Sequence, residues 1–321
     1  EMLRSLVGSE MCIRDRYSDS ALAFTEACRT RDVLARKENT LKALSEIVRV
    51  NEVRRQAGDV GGIELLQSRV ERDQFQAEVT QSRAEAASAR LTLSLTLGRR
   101  LEDVFGKVAL ECGFTPFERG DNIEALIPEA LQVRDDVLIA RATLTHARDN
   151  ASLTRANRSV DPTVSLGVTS TRGYPGGFDQ GGTAIDATSR SNVLALSISI
   201  PIPLSRLNRG DILQAESGVT QAMLGLNQAE LKAESDVRTA HQRFMAAREN
   251  VDHYRKDVLR NANRMLEGIR LSYRNGAASL LELLAAQRSA DDAYLAYLQS
   301  EADMATATVQ LQLAIGEQPS L

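Results

Sequence analysis

The chain has 321 residues and a net charge of −4, with acids and bases interspersed, so it carries no nucleic-acid footprint. Aromatic residues make up only 4% and Trp is absent. That is too few for an ordinary globular core, but it suits long helices packed by Leu, Ala and Val.

No run approaches the roughly 18 apolar residues of a transmembrane helix. This excludes a helical membrane protein but not a transmembrane β-barrel, whose strands signal far more weakly. Cys12, Cys28 and Cys112 lack metal-ligand spacing and an obvious pairing.

In chain order, the stretch EMLRSLVGSEMCIRDR at 1–16 follows neither period 3.6 nor period 2. It lacks the apolar core and cleavage site of a signal peptide. VGSEMCIRDR resembles translated adapter-like sequence found at the ends of metagenomic gene predictions. Residues 1–16 are set aside as extraneous, with the true chain expected to begin upstream of Tyr17.

Proline punctuates the rest of the chain. Six of the seven prolines lie between 116 and 203, and the other is Pro319. Two long helical blocks therefore flank a different middle. The first, within 17–100, breaks at Gly58 with Gly61 and Gly62, giving a helical hairpin. A connector at 101–121 and a helix at 122–160 come next.

At 161–203 the period changes to 2. DPTVSLGVTSTRG sets Val164, Leu166 and Val168 on one face and Thr163, Ser165, Gly167 and Thr169 on the other. SNVLALSISIP does the same with Leu194, Leu196, Ile198 and Ile200 opposite Ala195, Ser197 and Ser199. Each run has about the length of a bilayer-crossing strand. One apolar and one small-polar face is the pattern of a barrel wall with lipid outside and water inside. The alternative is a soluble hairpin with one buried face, but a lone hairpin is unstable in water. The Gly- and Asp-rich stretch 174–190 between the runs reads as a mobile external loop.

The second helical block, within 206–316, breaks at Asn275-Gly276, with 317–321 as a tail. Its first arm could reach about 65 residues, on the order of 100 Å, with bends possible at Gly218, Gly225 and Gly268. The return arm carries two apolar stripes one residue apart. One includes Leu281, Leu284, Leu298, Ala302 and Val309; the other includes Leu280, Leu283, Ala290, Leu311 and Ile315. They fit either a helix with a neighbour on each side, as in a wall of helices, or one broad core-facing stripe.

The two blocks repeat each other. Adding 218 takes Gly58 to Gly276, Glu64 to Glu282, Leu65-Leu66 to Leu283-Leu284, Asp73 to Asp291 and Gly98 to Gly316. Roughly 13 of 41 positions match, where about two to four would by composition alone. This is an internal duplication of two halves, too long in period for a solenoid.

Strand pairs followed by long helices with Gly-containing tips resemble the TolC-like outer-membrane efflux factors. The resemblance covers 18–316. AGDVGGIELL and NGAASLLELL resemble the family's two tips. ALQVRDDVLIARATLTHARDNASLTRANRSVDPTVSLGVT resembles its helix leading to the third strand, with Arg134-Asp135-Asp136 where the family often has Arg-Pro-Asp. LSISIPIPLSRLNRGDILQAES, with Pro201, Pro203 and Asn-Arg-Gly, is most like the heavy-metal, cobalt–zinc–cadmium branch.

The resemblance implies a mainly α fold: long antiparallel hairpins as an α-barrel wall, plus a strand pair contributed to a trimeric transmembrane β-barrel. Each family protomer gives four strands to a shared twelve-stranded barrel, so the first strand pair is expected upstream of Tyr17. It further implies a homotrimer in the outer membrane of a Gram-negative bacterium, mostly periplasmic, working with a periplasmic adaptor (membrane fusion) protein and an inner-membrane pump. The expected function is the exit duct of a tripartite efflux system for heavy-metal cations. The alternatives are a duct for drugs or other small molecules, or a soluble periplasmic coiled-coil adaptor.

No catalytic, cofactor or metal site is expected. His146, His241 and His253 are scattered and read as solvated helix residues, and no phosphate loop or nucleophile motif appears. The candidate functional residues are the tips Gly58 and Gly276, expected to dock the adaptor, and the apolar strand residues, expected to face lipid. Glu64 and Glu282 match the family's acidic periplasmic entrance. Ser279-x-x-Glu282 is also a capping box and Gly61-x-x-Glu64 a weaker one, so the two glutamates either line the entrance or cap helices, and both can hold.

Overall fold

The computed structural model describes the chain except residues 1, 107–109, 114–116, 118–121, 158–160, 174, 201–208 and 320–321. It divides into two compact units, 1–139 with 228–321, and 140–227.

In the larger unit, α1 (Met2–Gln56) and α2 (Gly62–Leu97) form the first hairpin. α3 (Leu101–Phe105) and α4 (Ile123–Val133) follow, and α5 (Asp135–Ala156) begins here. α6 (Arg209–His253), a π-helical turn (Tyr254–Val258) and α7 (Leu259–Arg274) lead to α8 (Leu280–Ile315) and complete the second hairpin. The repeat extends to the element bounds. α2 and α8 have 36 residues each and their ends differ by 218. Both close on a left-handed glycine, Gly98 (φ 70°) and Gly316 (φ 103°).

The hairpins share a core in which Leu44, Phe75 and Val79 meet Leu266, Tyr273, Leu280, Leu283 and Ala290. A second cluster joins α4, α6 and α8 through Leu126, Val237, Phe244, Leu311 and Ile315. α8 thus packs on α7, α1 and α4, which favours the wall-of-helices reading of its two stripes. Leu281 departs from its stripe and is 72% exposed.

The second block has a π turn, and the repeat slips by one residue in the same region. Downstream of the turn the period is 218. Within it, Arg255-Lys256-Asp257 match Arg36-Lys37-Glu38 at 219, and upstream buried Phe244 and Ala247 match buried Thr25 and Cys28 at the same offset. One inserted residue would turn a helix face by roughly 100°. The extra residue lies in α1, where 22 positions separate Arg36 from Gly58 and 21 separate Arg255 from Gly276, so the π turn on the other arm does not supply it, and Gly218, Gly225 and Gly268 interrupt no helix.

Several expectations are corrected. Residues 2–16, which follow no helical period in sequence, are helical and form the start of α1. Arg14 pairs with Asp135 at 2.9 Å and donates to the Leu313 carbonyl, in the last turn of α8, at 2.9 Å. The single helix expected at 122–160 is two, because Arg134 between α4 and α5 is extended (φ −64°, ψ 129°). Its guanidinium bonds Asp136, Asp236 and the Ala314 carbonyl. The connector contains α3 and is tied down by a Cys28–Cys112 disulfide across 84 residues. One turn on, Arg31 donates to the Leu110 carbonyl. His241 is buried, not solvated, on the α6 side that carries Val237, Ala240 and Phe244 into the second core.

The smaller unit holds the end of α5, the start of α6 and the strands. β1 (Thr163–Thr171) pairs antiparallel with β4 (Ser191–Ser199). The 174–190 stretch is not all loop. It carries a short ladder of β2 (Gly177–Phe178) and β3 (Ala184–Ile185), closed by Asp179, whose carboxylate accepts from the Gly181 and Thr183 amides. Pro201 and Pro203 lie outside the described residues, as does Asn208.

Candidate functional site: the helical tips and the strand pair

The two tips are built alike. A helix needs donors for its last carbonyls, and a left-handed residue lets the chain fold back to supply them. At the first tip the Gly58 amide donates to the Arg55 carbonyl (3.0 Å) and the Asp59 amide to that of Arg54 (2.9 Å). At the second, Gly276 donates to Tyr273 (3.1 Å) and Ala277 to Ser272 (2.8 Å). These are the same bonds displaced by 218. Gly58 (φ 83°) and Gly276 (φ 74°) sit in the conformation that disfavours a side chain.

The return helices start differently. Ser279 caps α8: its hydroxyl accepts from the Glu282 amide (3.2 Å), and Glu282 Oε2 accepts from the Ser279 amide (2.7 Å) and hydroxyl (2.9 Å). Those bonds hold the Glu282 carboxyl below its ordinary range. At the first tip Gly61 has no side chain to cap with. Glu64 and Glu282 both stand in the first turn of a return helix, and the capping box forms at the second tip alone. Just before each glutamate a large apolar residue points outward, Ile63 (73% exposed) and Leu281, and these too are repeat mates.

Side chains far apart in sequence fasten the hairpins together. Tyr273 donates to Asn51 Oδ1 at 2.7 Å in a buried contact. Arg288 forks onto Glu71 at 2.5 and 2.8 Å. Asp291, 3% exposed, accepts from Arg36 (2.8 Å) and Thr40 (2.6 Å). The reading of the sequence missed these ties. The one trace was Asp291 as a repeat-conserved acid amid apolar positions.

In the strand pair Val164, Leu166 and Val168 stand opposite Ile198, Leu196 and Leu194. All six are at least 63% exposed. Ile200 is exposed also, one residue past β4. The other face is small and polar, with Ser165 and Ser197 hydroxyls 2.7 Å apart, while Ser170 donates to Asn192 at the loop end of the apolar face. Val193 is the apolar exception on the polar face. A pair with one wholly exposed apolar face is incomplete as it stands.

Among the described residues no helix is long and apolar enough to cross a membrane, and no three His, Cys, Asp or Glu side chains gather to hold a metal ion.

Comparison with known proteins places these features. The family model for outer membrane efflux protein matches residues 126–317, well over half of the chain. The cobalt-zinc-cadmium resistance protein CzcC of Cupriavidus metallidurans is 24% identical over 235 residues, which cover 70% of this chain and 52% of that protein. The chain thus spans about half the length of the curated relative it matches. A membrane protein from Pseudomonas aeruginosa shares the fold at TM-score 0.74 and 21% identity, over 98% of this chain and 70% of that one. The outer membrane protein VceC of Vibrio cholerae does so at 0.74 and 16%, over 99% and 74%.

Proposed function

The chain belongs to the outer membrane efflux protein family, and from that premise we propose that it is the exit duct of a tripartite export system. Three copies assemble, each adding its β1–β4 pair to a transmembrane barrel and its hairpins to a periplasmic helical wall. The duct does no covalent chemistry, and the partner pump supplies the energy. The observation that carries this reading is the β1–β4 pair. Its large apolar residues except Val193 lie on one exposed face and most of its small polar residues on the other, the pattern of a wall between lipid and water. The test is extraction of the full-length protein from cell envelopes. It should stay with the outer-membrane fraction until detergent is added. Recovery as a soluble protein without detergent would favour the periplasmic adaptor reading instead.

Heavy-metal cations are the cargo, a reading supported by the likeness to a cobalt-zinc-cadmium resistance protein. A conduit needs weak, transient contacts rather than a closed ligand set. Deleting the gene should raise sensitivity to zinc, cobalt and cadmium. Raised sensitivity to organic drugs alone would assign the duct to small molecules.

The tips dock the periplasmic adaptor. The matched backbone turns at Gly58 and Gly276 and the exposed Ile63 and Leu281 support this, since two equivalent apolar knobs would meet an adaptor hairpin in the same way. In a trimer Glu64 and Glu282 place six carboxylates near one opening, and such rings favour cations.

A further inference from the structure

α2 and α8 are repeat mates with unequal surroundings. α8 packs on α7, α1 and α4, whereas the main neighbours of α2 are α1 and α3. Several positions buried on α8 therefore have exposed mates on α2. Leu284, Asp291, Ala302, Ala305 and Val309 are buried; Leu66, Asp73, Ala84, Ala87 and Leu91 are exposed. Val309 is 0% exposed and Leu91 71%. α2 thus keeps the residues of a second packing face, and among the described residues no helix covers it.

Within the chain, α1 supplies the polar partner on the corresponding face of α8. Arg36 bonds the buried Asp291 and lies 4.4 Å over the ring of Tyr294. The repeat carries Asp291 to Asp73 and Arg36 to Arg255. Both mates are exposed, with side chains at 65% and 62%. Among the described residues Asp73 pairs with its neighbour Arg72, and Arg255 is 4.0 Å from Asp252 on its own helix. Exposed local pairs of this kind are worth little and exchange readily. A helix laid over the α2 face would bury Asp73 as Asp291 is buried. A buried carboxylate without a cation is strongly destabilising, so the covering helix must bring a base to that level.

We propose that the exposed face of α2 is covered by the π turn and α7 of a second copy of this chain, with Asp73 paired to Arg255 of that copy. The contact repeats between copies what Asp291 and Arg36 do within one. The occupant is a second copy because the π turn and α7 are the repeat mate of the α1 stretch that already fits this face. Thr40 has no polar mate at either offset, Val258 standing at 218 and Leu259 at 219, so Arg255 is the donor that Asp73 depends on. The pairing rests on the proposed trimer and identifies which helices meet in it.

The test uses the full-length protein in detergent. Oxidation of the Asp73→Cys/Arg255→Cys double variant should give a covalent ladder ending at three chains, with no ladder from either single variant. Asp73→Arg alone should lower the trimer fraction about tenfold, and adding Arg255→Asp should restore it, a coupling of about 1.4 kcal/mol. A wild-type trimer whose double-cysteine variant links only within one chain, or not at all, overturns the pairing and leaves the assembly standing. So does a charge swap no better than the single variant. A monomeric wild type overturns both.

Discussion

At the tips, single residues decide whether a helix can turn back. An added Cβ at Gly58 or Gly276 would meet nothing within 4 Å. Any cost of Gly→Ala there is backbone strain alone, about 1 kcal/mol. Gly276→Ala should lower thermal stability by that amount, and Gly276→Asn by less, since Asn tolerates the left-handed region. Gly→Val at either tip should weaken crosslinking to the adaptor and leave the trimer intact. Glu282 separates two roles by charge. The Ser279 amide and hydroxyl hold its carboxyl low, so its capping contribution is complete above the ordinary carboxylate range. That contribution is lost as pH falls through and below that range. Amide protection over 279–282, taken relative to the intrinsic exchange rate at each pH, should therefore fall on acidification in the wild type but not in Glu282→Gln, because Gln caps without titrating. If the carboxylates also line an entrance, the same variant lowers the cation-to-anion ratio read from single-channel reversal potentials, and more than Glu64→Gln does. An unchanged ratio leaves Glu282 as a cap alone.

At the scale of elements, two cross-links hold what helical periodicity leaves loose. The Cys28–Cys112 disulfide closes a long loop between α1 and the connector. In the chain-entropy account such a loop contributes about 4 kcal/mol. Reductant, or Cys112→Ser, should lower the melting temperature of the full-length protein, and reductant should then have no further effect on Cys112→Ser. The α4–α5 break depends on Arg134. Burial opposes the charges of Arg134 and Asp136, but the bonds between them outweigh it, raising the guanidinium and lowering the carboxyl. Arg134→Ala should cost about 2 kcal/mol by leaving those partners short of donors, seen as a shifted denaturant midpoint. The helices themselves were legible, because proline spacing and apolar periodicity act over neighbouring residues. The break was not, since no proline marks it and the arginine finds its partners on α6 and α8.

For the whole molecule, the strand pair decides the solvent. Leu166→Arg or Leu196→Arg would place a charge on the face proposed to meet lipid, costing about 2–4 kcal/mol each near mid-bilayer. Either should deplete the protein from the outer-membrane fraction. Ser165→Arg, on the opposite face, should leave insertion intact and alter conductance. Equal losses from both faces would sink the assignment of lipid to the apolar side.

The sequence alone determined the periods: helices at 3.6, strands at 2, two glycine tips, and a duplication that extends to the element ends. These are properties of neighbours along the chain, and each residue carries its share of them wherever it sits. The tertiary structure decided who meets whom. It paired Cys28 with Cys112, placed Arg36 on Asp291 and buried His241. It also made Val309 a core residue while its mate Leu91 stayed exposed. Equal patterns cannot announce unequal surroundings, because burial is set by the second surface, and that surface comes from a distant part of the chain.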